Sequence, residues 1–208
     1  MADTLDIHYP FAGRWLVRNS PANQVPSHGT ALFGLSYAID FVPVDVRGRS
    51  GPFTLKSFFR TEPPTLFTGF GRTIIAPING TVVTTHDAEP DHNAYRGLPS
   101  LRYALTQRRR LRQDWHNIVG NYVLIETRTA SGSRVVVALC HLQRGSIIVT
   151  EGQQVRIGDK VGQCGNSGNS TEPHLHLHAL DGRDMVHSNA VPLTFGGSLP
   201  RNNTVVSA

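Results

Sequence analysis

Long apolar runs are missing from this chain. No stretch of 18 apolar residues occurs in its 208, so no segment offers a transmembrane helix. The opening Met1-Ala2-Asp3-Thr4-Leu5-Asp6-Ile7-His8 has neither a basic start nor an apolar stretch of signal-peptide length. Cysteine is scarce: Cys140 and Cys164 are the only two, and one pair in a chain of this size does not declare a redox compartment. They are either bridged, which requires close Cα atoms, or buried as small apolar side chains. Charge is also thin. At 17% charged against 39% hydrophobic residues, extensive disorder is excluded and a sizeable core is expected, within one domain spanning 1–208.

What is abundant is punctuation. The 20 Gly and 13 Pro separate short runs of Val, Ile, Leu and Tyr, the pattern of many short strands between turns. Candidate strands are Phe53-Thr54-Leu55-Lys56, 80–84, 122–127, 134–139, 147–150 and 174–180. The fold class that follows is mainly β, an antiparallel β-sandwich or open barrel. Residues 86–116 break the rhythm; Leu101, Leu105, Leu111 and Trp115 are spaced loosely as in a helix, which predicts a helical or irregular insertion able to wall a substrate groove. Within it lies Arg108-Arg109-Arg110-Leu111-Arg112, ordinarily a solvated face. The net charge of +5 and pI of 9.7 suit nucleic acid, anionic lipid surfaces or acidic cell-wall polymers alike.

The stretch richest in chemistry is Pro173-His174-Leu175-His176, reached through a Gly-, Asn- and Ser-rich run from Gly162. Side chains alternate faces on a strand, so His174 and His176 share one face and suit a single metal-centred site. Asp40 lies in the apolar strand Ser36-Tyr37-Ala38-Ile39-Asp40-Phe41-Val42, where a buried carboxylate is costly unless bonded or metal-bound. His141 follows the apolar Val135-Val136-Val137-Ala138-Leu139-Cys140. Three strands thus deliver His or Asp.

These residues resemble the zinc-dependent LytM/lysostaphin-type endopeptidases of group M23, which cut peptide bonds in bacterial cell-wall peptidoglycan. The resemblance runs in order through Ala76 to Val82, Gly120 to Ile125, His141-Leu142 with Gly145-Ser146-Ile147, Val155 to Val161 and Gly165 to His176. It covers most of 30–182, leaving an N-terminal extension, 1–29, and a C-terminal tail, 183–208. It implies that Asp40 and His176 bind zinc, one ion per chain, and that His141 and His174 are non-ligand catalytic histidines. The family's usual first ligand position falls on Ser36, a poor zinc ligand. His28, in the turn-like Ser27-His28-Gly29-Thr30, is the expected substitute.

Three protein ligands with a position left for water is the composition of a catalytic zinc site. His141 and His174 would share the proton transfers and oxyanion stabilisation, and the sequence does not divide these roles between them. The implied substrate is a peptidoglycan cross-link or stem peptide, with an acidic wall polymer as a further partner and no nucleic acid. A periplasmic or extracellular address is implied, against which stands the lack of a signal peptide; a removed leader, a cytosolic peptide substrate or another export route would each reconcile the two. The oligomeric state and the bond cut stay open.

Two other readings compete. Ser36 invites a non-catalytic LytM-like module that binds and regulates another wall hydrolase. The turns around Glu151-Gly152-Gln153 and Gly158-Asp159-Lys160 resemble biotinyl and lipoyl carriers, but that reading leaves the histidines unexplained. Among the remaining histidines, His86-Asp87 with Asp91-His92 looks like a second ligand cluster in a polar loop whose side chains are ordinarily solvated. His178 falls by alternation on the face of His174 and His176, as an orienting partner or a polar strand end, and is left outside the site. Alternation turns Cys140 away from the side that His141 faces.

Overall fold

The computed structural model describes residues 4–105 and 115–208, without the side chains of Lys56 and 101–104. Its strands are β1 (Leu5–Ile7), β2 (Arg14–Arg18), β3 (Ile39–Pro43), β4 (Thr73–Ile75), β5 (Gly80–His86), β6 (Asn121–Arg128) and β7 (Arg134–Leu142), followed by β8 (Gln154–Val155), β9 (Lys160–Gln163), β10 (Leu175–Leu180), β11 (Ala190–Val191), β12 (Leu193–Phe195) and β13 (Val205–Ser207). Helix α1 (Leu98–Leu105) and the single turn α2 (His116–Val119) lie between β5 and β6. The fold is mainly β, as expected. The insertion is irregular over 87–97, helical in α1 and again from His116, and the Arg108–Arg112 run lies outside the described residues.

One nine-stranded antiparallel sheet, ordered β13-β2-β3-β10-β7-β6-β5-β8 with β11 also on β10, forms the body. Its centre is β7, apolar on nearly every residue because both its faces are covered. Val135, Val137 and Leu139 join Ile39, Phe41, Val123, Ile125, Leu175 and Leu177 in the larger core. The parallel pair β1·β12 and the antiparallel pair β4·β9 supply Leu5, Ile7, Phe195, Ile74 and Val161 to that core, giving a two-layer sandwich. Val136, Ala138 and Cys140 face the other way, with Tyr122, Leu124, Val119, Leu180 and Met185.

Asp40, His176 and His178 lie on this second face. Phe41 pairs with Leu175 and Ile39 with Leu177 in the large core, so Asp40, opposite His176, projects to the other side. A fully buried Leu or Val at such a position would contribute about 1.5–3 kcal/mol. Three buried polar residues there forgo that stabilisation, which marks the face as functional ground.

Some expected strands are different. Phe53–Lys56 is not a strand; a 3-10 turn, Leu55–Phe58, occupies part of this segment, with Phe53 and Leu55 exposed and so offering no apolar face to a sheet. Residues 147–150 form no strand, and Ser36 lies in the 3-10 segment Leu32–Tyr37, so β3 starts only at Ile39. The segments before residue 30 and after 182 supply β1, β2 and β11–β13, and β2 is paired directly on β3.

Candidate active site

Cross-strand register brings the first two groups together. Asp40 and His176 are direct partners on β3 and β10, and His176 Nδ1 lies 2.8 Å from Asp40 Oδ1. His28 arrives from a turn tied to the 3-10 segment: the Ser27 N–H donates to the Ser36 carbonyl (3.0 Å) and the Ser27 hydroxyl to the Leu35 carbonyl (3.1 Å). With its proton so used, Ser27 Oγ accepts from His28 Nδ1 (3.0 Å), and His28 Nε2 is turned onto Asp40 Oδ2 at 3.1 Å. The position matching the family's usual ligand, Ser36, thus contributes a backbone carbonyl that anchors the His28 turn.

The electrostatics of this group favour a cation. Burial raises the Asp40 pKa, but the neighbouring His28 and His174 and the hydrogen bonds from His176 and His28 outweigh it and hold the carboxyl well below its usual range. Among the described residues its ion-pair partners are all imidazoles, and Asn19 Nδ2 donates to Oδ2 at 2.7 Å. Burial also pushes His176, His141 and His178 below the usual histidine range, so these rings are neutral near pH 7. His28 is raised: burial opposes its charge, and the Asp40 carboxylate more than restores it. Once His28 gives up its proton the buried carboxylate leaves net negative charge to be met by a cation, and the ligand atoms of His28, Asp40 and His176 all lie within 4.8 Å of one another. Two imidazoles and a carboxylate match the His/Asp/Glu chemistry of zinc sites.

His141 reaches the same cavity by breaking strand alternation. In β6, Tyr122 pairs with Cys140 and Asn121 with Leu142, so His141 is an extra residue on β7, a bulge with φ +62°. Leu142 returns to the large core while Cys140 and His141 both line the cavity. The expected turning away of Cys140 from His141's side is therefore overturned by the bulge. Both cysteines are free and buried, and burial pushes both thiols up.

His141 Nδ1 lies 2.9 Å from the Ser167 carbonyl, which can only accept; the ring proton therefore sits on Nδ1 and Nε2 is left free. His174 is held likewise, Nδ1 donating to the Glu172 carbonyl at 2.8 Å beside Ser170 Oγ at 2.9 Å, with Nε2 3.8 Å from Asp40 Oδ1. The two rings stand 4.7 Å apart. His28, Asp40, His141, His174 and His176 all line one cavity of about 300 Å³, whose apolar wall includes Phe33, Leu35, Ile118, Val119 and Met185. His178 lines it too, with Nδ1 3.2 Å from His176 Nε2.

Several supporting residues escaped sequence reasoning. The 86–92 cluster is a set of tethers: Asp87 accepts from the N–H groups of Gly145 (2.7 Å) and Ile147 (3.2 Å), Asp91 from Arg144 (2.9 Å) and Asn166 (2.6 Å). His92 Nε2 meets the Gly168 carbonyl at 2.9 Å, and His86 pairs with Glu89. Asn121 bonds both backbone groups of Glu89 and the Leu142 carbonyl, while Ser167 Oγ accepts from the Asn121 N–H and donates to Leu142. Together these hold the 164–168 loop whose carbonyl orients His141. Asn19, remote in sequence and polar at the end of β2, carried no signal that it would meet Asp40.

The comparisons with known proteins agree with the motif reading. Residues 104–188 match the model of peptidase family M23, and in this segment the chain is similar to the M23 peptidases. The peptidoglycan DD-endopeptidases ShyA and ShyB of Vibrio cholerae are 31% identical over 86 residues and 33% over 87, covering 41% and 42% of this chain. The chain spans only 19% of the length of either relative. Among solved structures, the lysostaphin catalytic domain of Staphylococcus simulans aligns with a TM-score of 0.38 at 14% identity, over 91% of this chain and 85% of that one. A zinc-containing peptidase of Vibrio cholerae gives 0.38 at 21%, over 74% and 45%. The matched family segment contains His141, His174 and His176 but neither His28 nor Asp40, which are brought to them by chain folding alone.

Proposed function

We propose that this chain is a zinc-dependent endopeptidase, one domain over 1–208, that hydrolyses peptide bonds in peptidoglycan cross-links or stem peptides. The observation that carries the reading is the convergence of His28 Nε2, Asp40 and His176 Nδ1 beside two further imidazoles in one cavity. The substrate class rests on the M23 segment and the peptidoglycan endopeptidases it matches. A net charge of +5 suits approach to an acidic wall polymer.

His28, Asp40 and His176 are the proposed zinc ligands. Zinc bound there would supply a water acidified towards neutrality and a Lewis acid for the scissile carbonyl. Asn19 holds one oxygen of the Asp40 carboxylate. His141 and His174 present Nε2 to the cavity because Nδ1 is committed to a carbonyl in each. His141, kept neutral by burial, is able to accept a proton at Nε2 near pH 7. The pair takes the proton from water, steadies the oxyanion and returns a proton to the leaving amine; both are assigned jointly. The apolar wall excludes water from one side of the bound peptide.

The test is zinc content of the purified chain together with release of peptide fragments from purified peptidoglycan. Wild type is expected to hold about one zinc per chain. His28→Ala and His176→Ala should lose metal and activity together, and His141→Ala should keep metal and lose turnover. A wild type that takes up no zinc would overturn the enzyme reading and favour the non-catalytic regulatory module.

A further inference from the structure

His178 is a buried residue that the proposed chemistry leaves without a task. It sits on the interior strand β10, every residue of which is buried, and a Leu there would suit the pattern. Its Nδ1 is 3.2 Å from His176 Nε2, and its Nε2 has no hydrogen-bond partner among the described residues. A half-satisfied imidazole in an apolar layer is destabilising, so its retention calls for a role that an apolar residue would not perform.

We propose that His178 is a positioning residue that fixes the tautomer of His176, so that His176 Nδ1 is free for metal. This rests on the zinc-site reading above. Asp40 Oδ1, an acceptor only, lies 2.8 Å from His176 Nδ1, and a hydrogen bond between them places the ring proton on Nδ1. His176 Nε2 is then an acceptor, and His178 donates to it from Nδ1. Ligation through His176 Nδ1 requires the opposite arrangement. The His176 proton must lie on Nε2, and in a buried site it needs an acceptor; His178 Nδ1 supplies one once its own proton has moved to Nε2. Each ring carries one proton before and after, so the pair changes tautomer together with no net charge. Ligating histidines generally direct their second N–H onto a carboxylate or carbonyl. Here the acceptor is a second imidazole, two residues along the same strand face.

The experiment measures zinc affinity by competition with a chromophoric chelator, and tautomers by nitrogen-15 imidazole spectra with and without zinc. His178→Leu is expected to weaken zinc binding by about 10–100-fold while the metal-free melting temperature holds or rises. A merely structural residue would not separate these two readouts. His178→Asn, whose Oδ1 stands near the place of Nδ1, should restore most of the affinity. Zinc-loaded wild type should show both His176 and His178 protonated at Nε2. Unchanged affinity in the Leu variant overturns the inference, as does a zinc-loaded wild type with the His178 proton on Nδ1, a result available even if the Leu variant fails to fold. If wild type binds no zinc, the enzyme reading fails as well, which separates that failure from this one.

Discussion

Replacing Gly120 with Ala is expected to cost about 4 kcal/mol of folding stability, the sum of a strain of ~2 and one lost buried hydrogen bond of ~2. Gly120 caps α2 at φ +69°, ψ −149°, close to a region that is essentially glycine-only. A Cβ there would stand 2.6 Å from Ser167 Oγ and 2.7 Å from its backbone C and O. Backbone cannot yield as a flexible side-chain tip does, so Ser167 must move and its bonds to Asn121 and Leu142 are strained. The loss is a large fraction of the ~5–15 kcal/mol that holds an ordinary domain folded. Urea denaturation measures it, with Gly132→Ala as the control. Gly132 also has positive φ (+91°) but open space around it, so that variant should lose only about 1–2 kcal/mol. Because the Ser167 carbonyl sets the His141 ring, the Gly120 variant should also lose turnover while binding zinc as wild type does. A Gly120→Ala protein as stable as Gly132→Ala would refute the packing argument.

Zinc affinity should fall with acid from an unusually high pH, since His28 must be neutral to bind and its pKa lies above the ordinary 6.5. Once the pH is below that raised value, each unit should cost about tenfold in affinity through this one proton; a flat profile from pH 8 to 5 would exclude His28 as a ligand. In the metal-free protein the same shift has the opposite sense. Protonated His28 stabilises the fold fully below 6.5, and this contribution is lost as pH rises through its folded value, which urea midpoints at pH 6.5 and 8 would register. Cys140 and Cys164 should resist a thiol reagent in the native protein and react fully in denaturant, because both are buried with raised pKa; rapid native labelling would contradict the burial. Asp91→Ala should cost about 2–4 kcal/mol, removing two charge-assisted bonds to backbone N–H groups, and thermal or urea melts of the variant should show it.

Much of the site was legible because period-two alternation is a strong constraint. His176 and His178 could be placed on one sheet face from spacing alone, since β10 is regular there, whereas Asp40 joined them only through the family resemblance and the β3·β10 register supplies the physical reason. Alternation failed at His141, where one inserted residue reverses the parity of β7, and no residue type announces a bulge at Cys140-His141-Leu142. Strand propensity failed at Phe53–Lys56, whose aromatic and aliphatic residues read as a strand but remain exposed. The three-residue strands β1, β4 and β12 are too short for periodicity to register and exist because they cover the large core. Residues such as Asn19 and Ser167 act through contacts far along the chain, which local pattern does not encode.

The tethers from Asp87 and Asp91 change what the insertion between β5 and β6 is free to do. Surface excursions of this kind ordinarily accept lengthening, shortening and replacement at little cost. Here the stretch from Asp87 to His92 fastens the 143–147 and 165–168 loops from outside the sheet, where the bulge at His141 has ended regular strand pairing. Its composition is thereby locked to the geometry of the His141 imidazole, far downstream in the chain. The fastening continues past His92, where Ala94 bridges Glu62, the Tyr95 N–H donates to the Thr171 carbonyl and Arg96 pairs with Glu62, so the first part of the excursion behaves as a clamp on the loops around the cavity and not as a free surface loop.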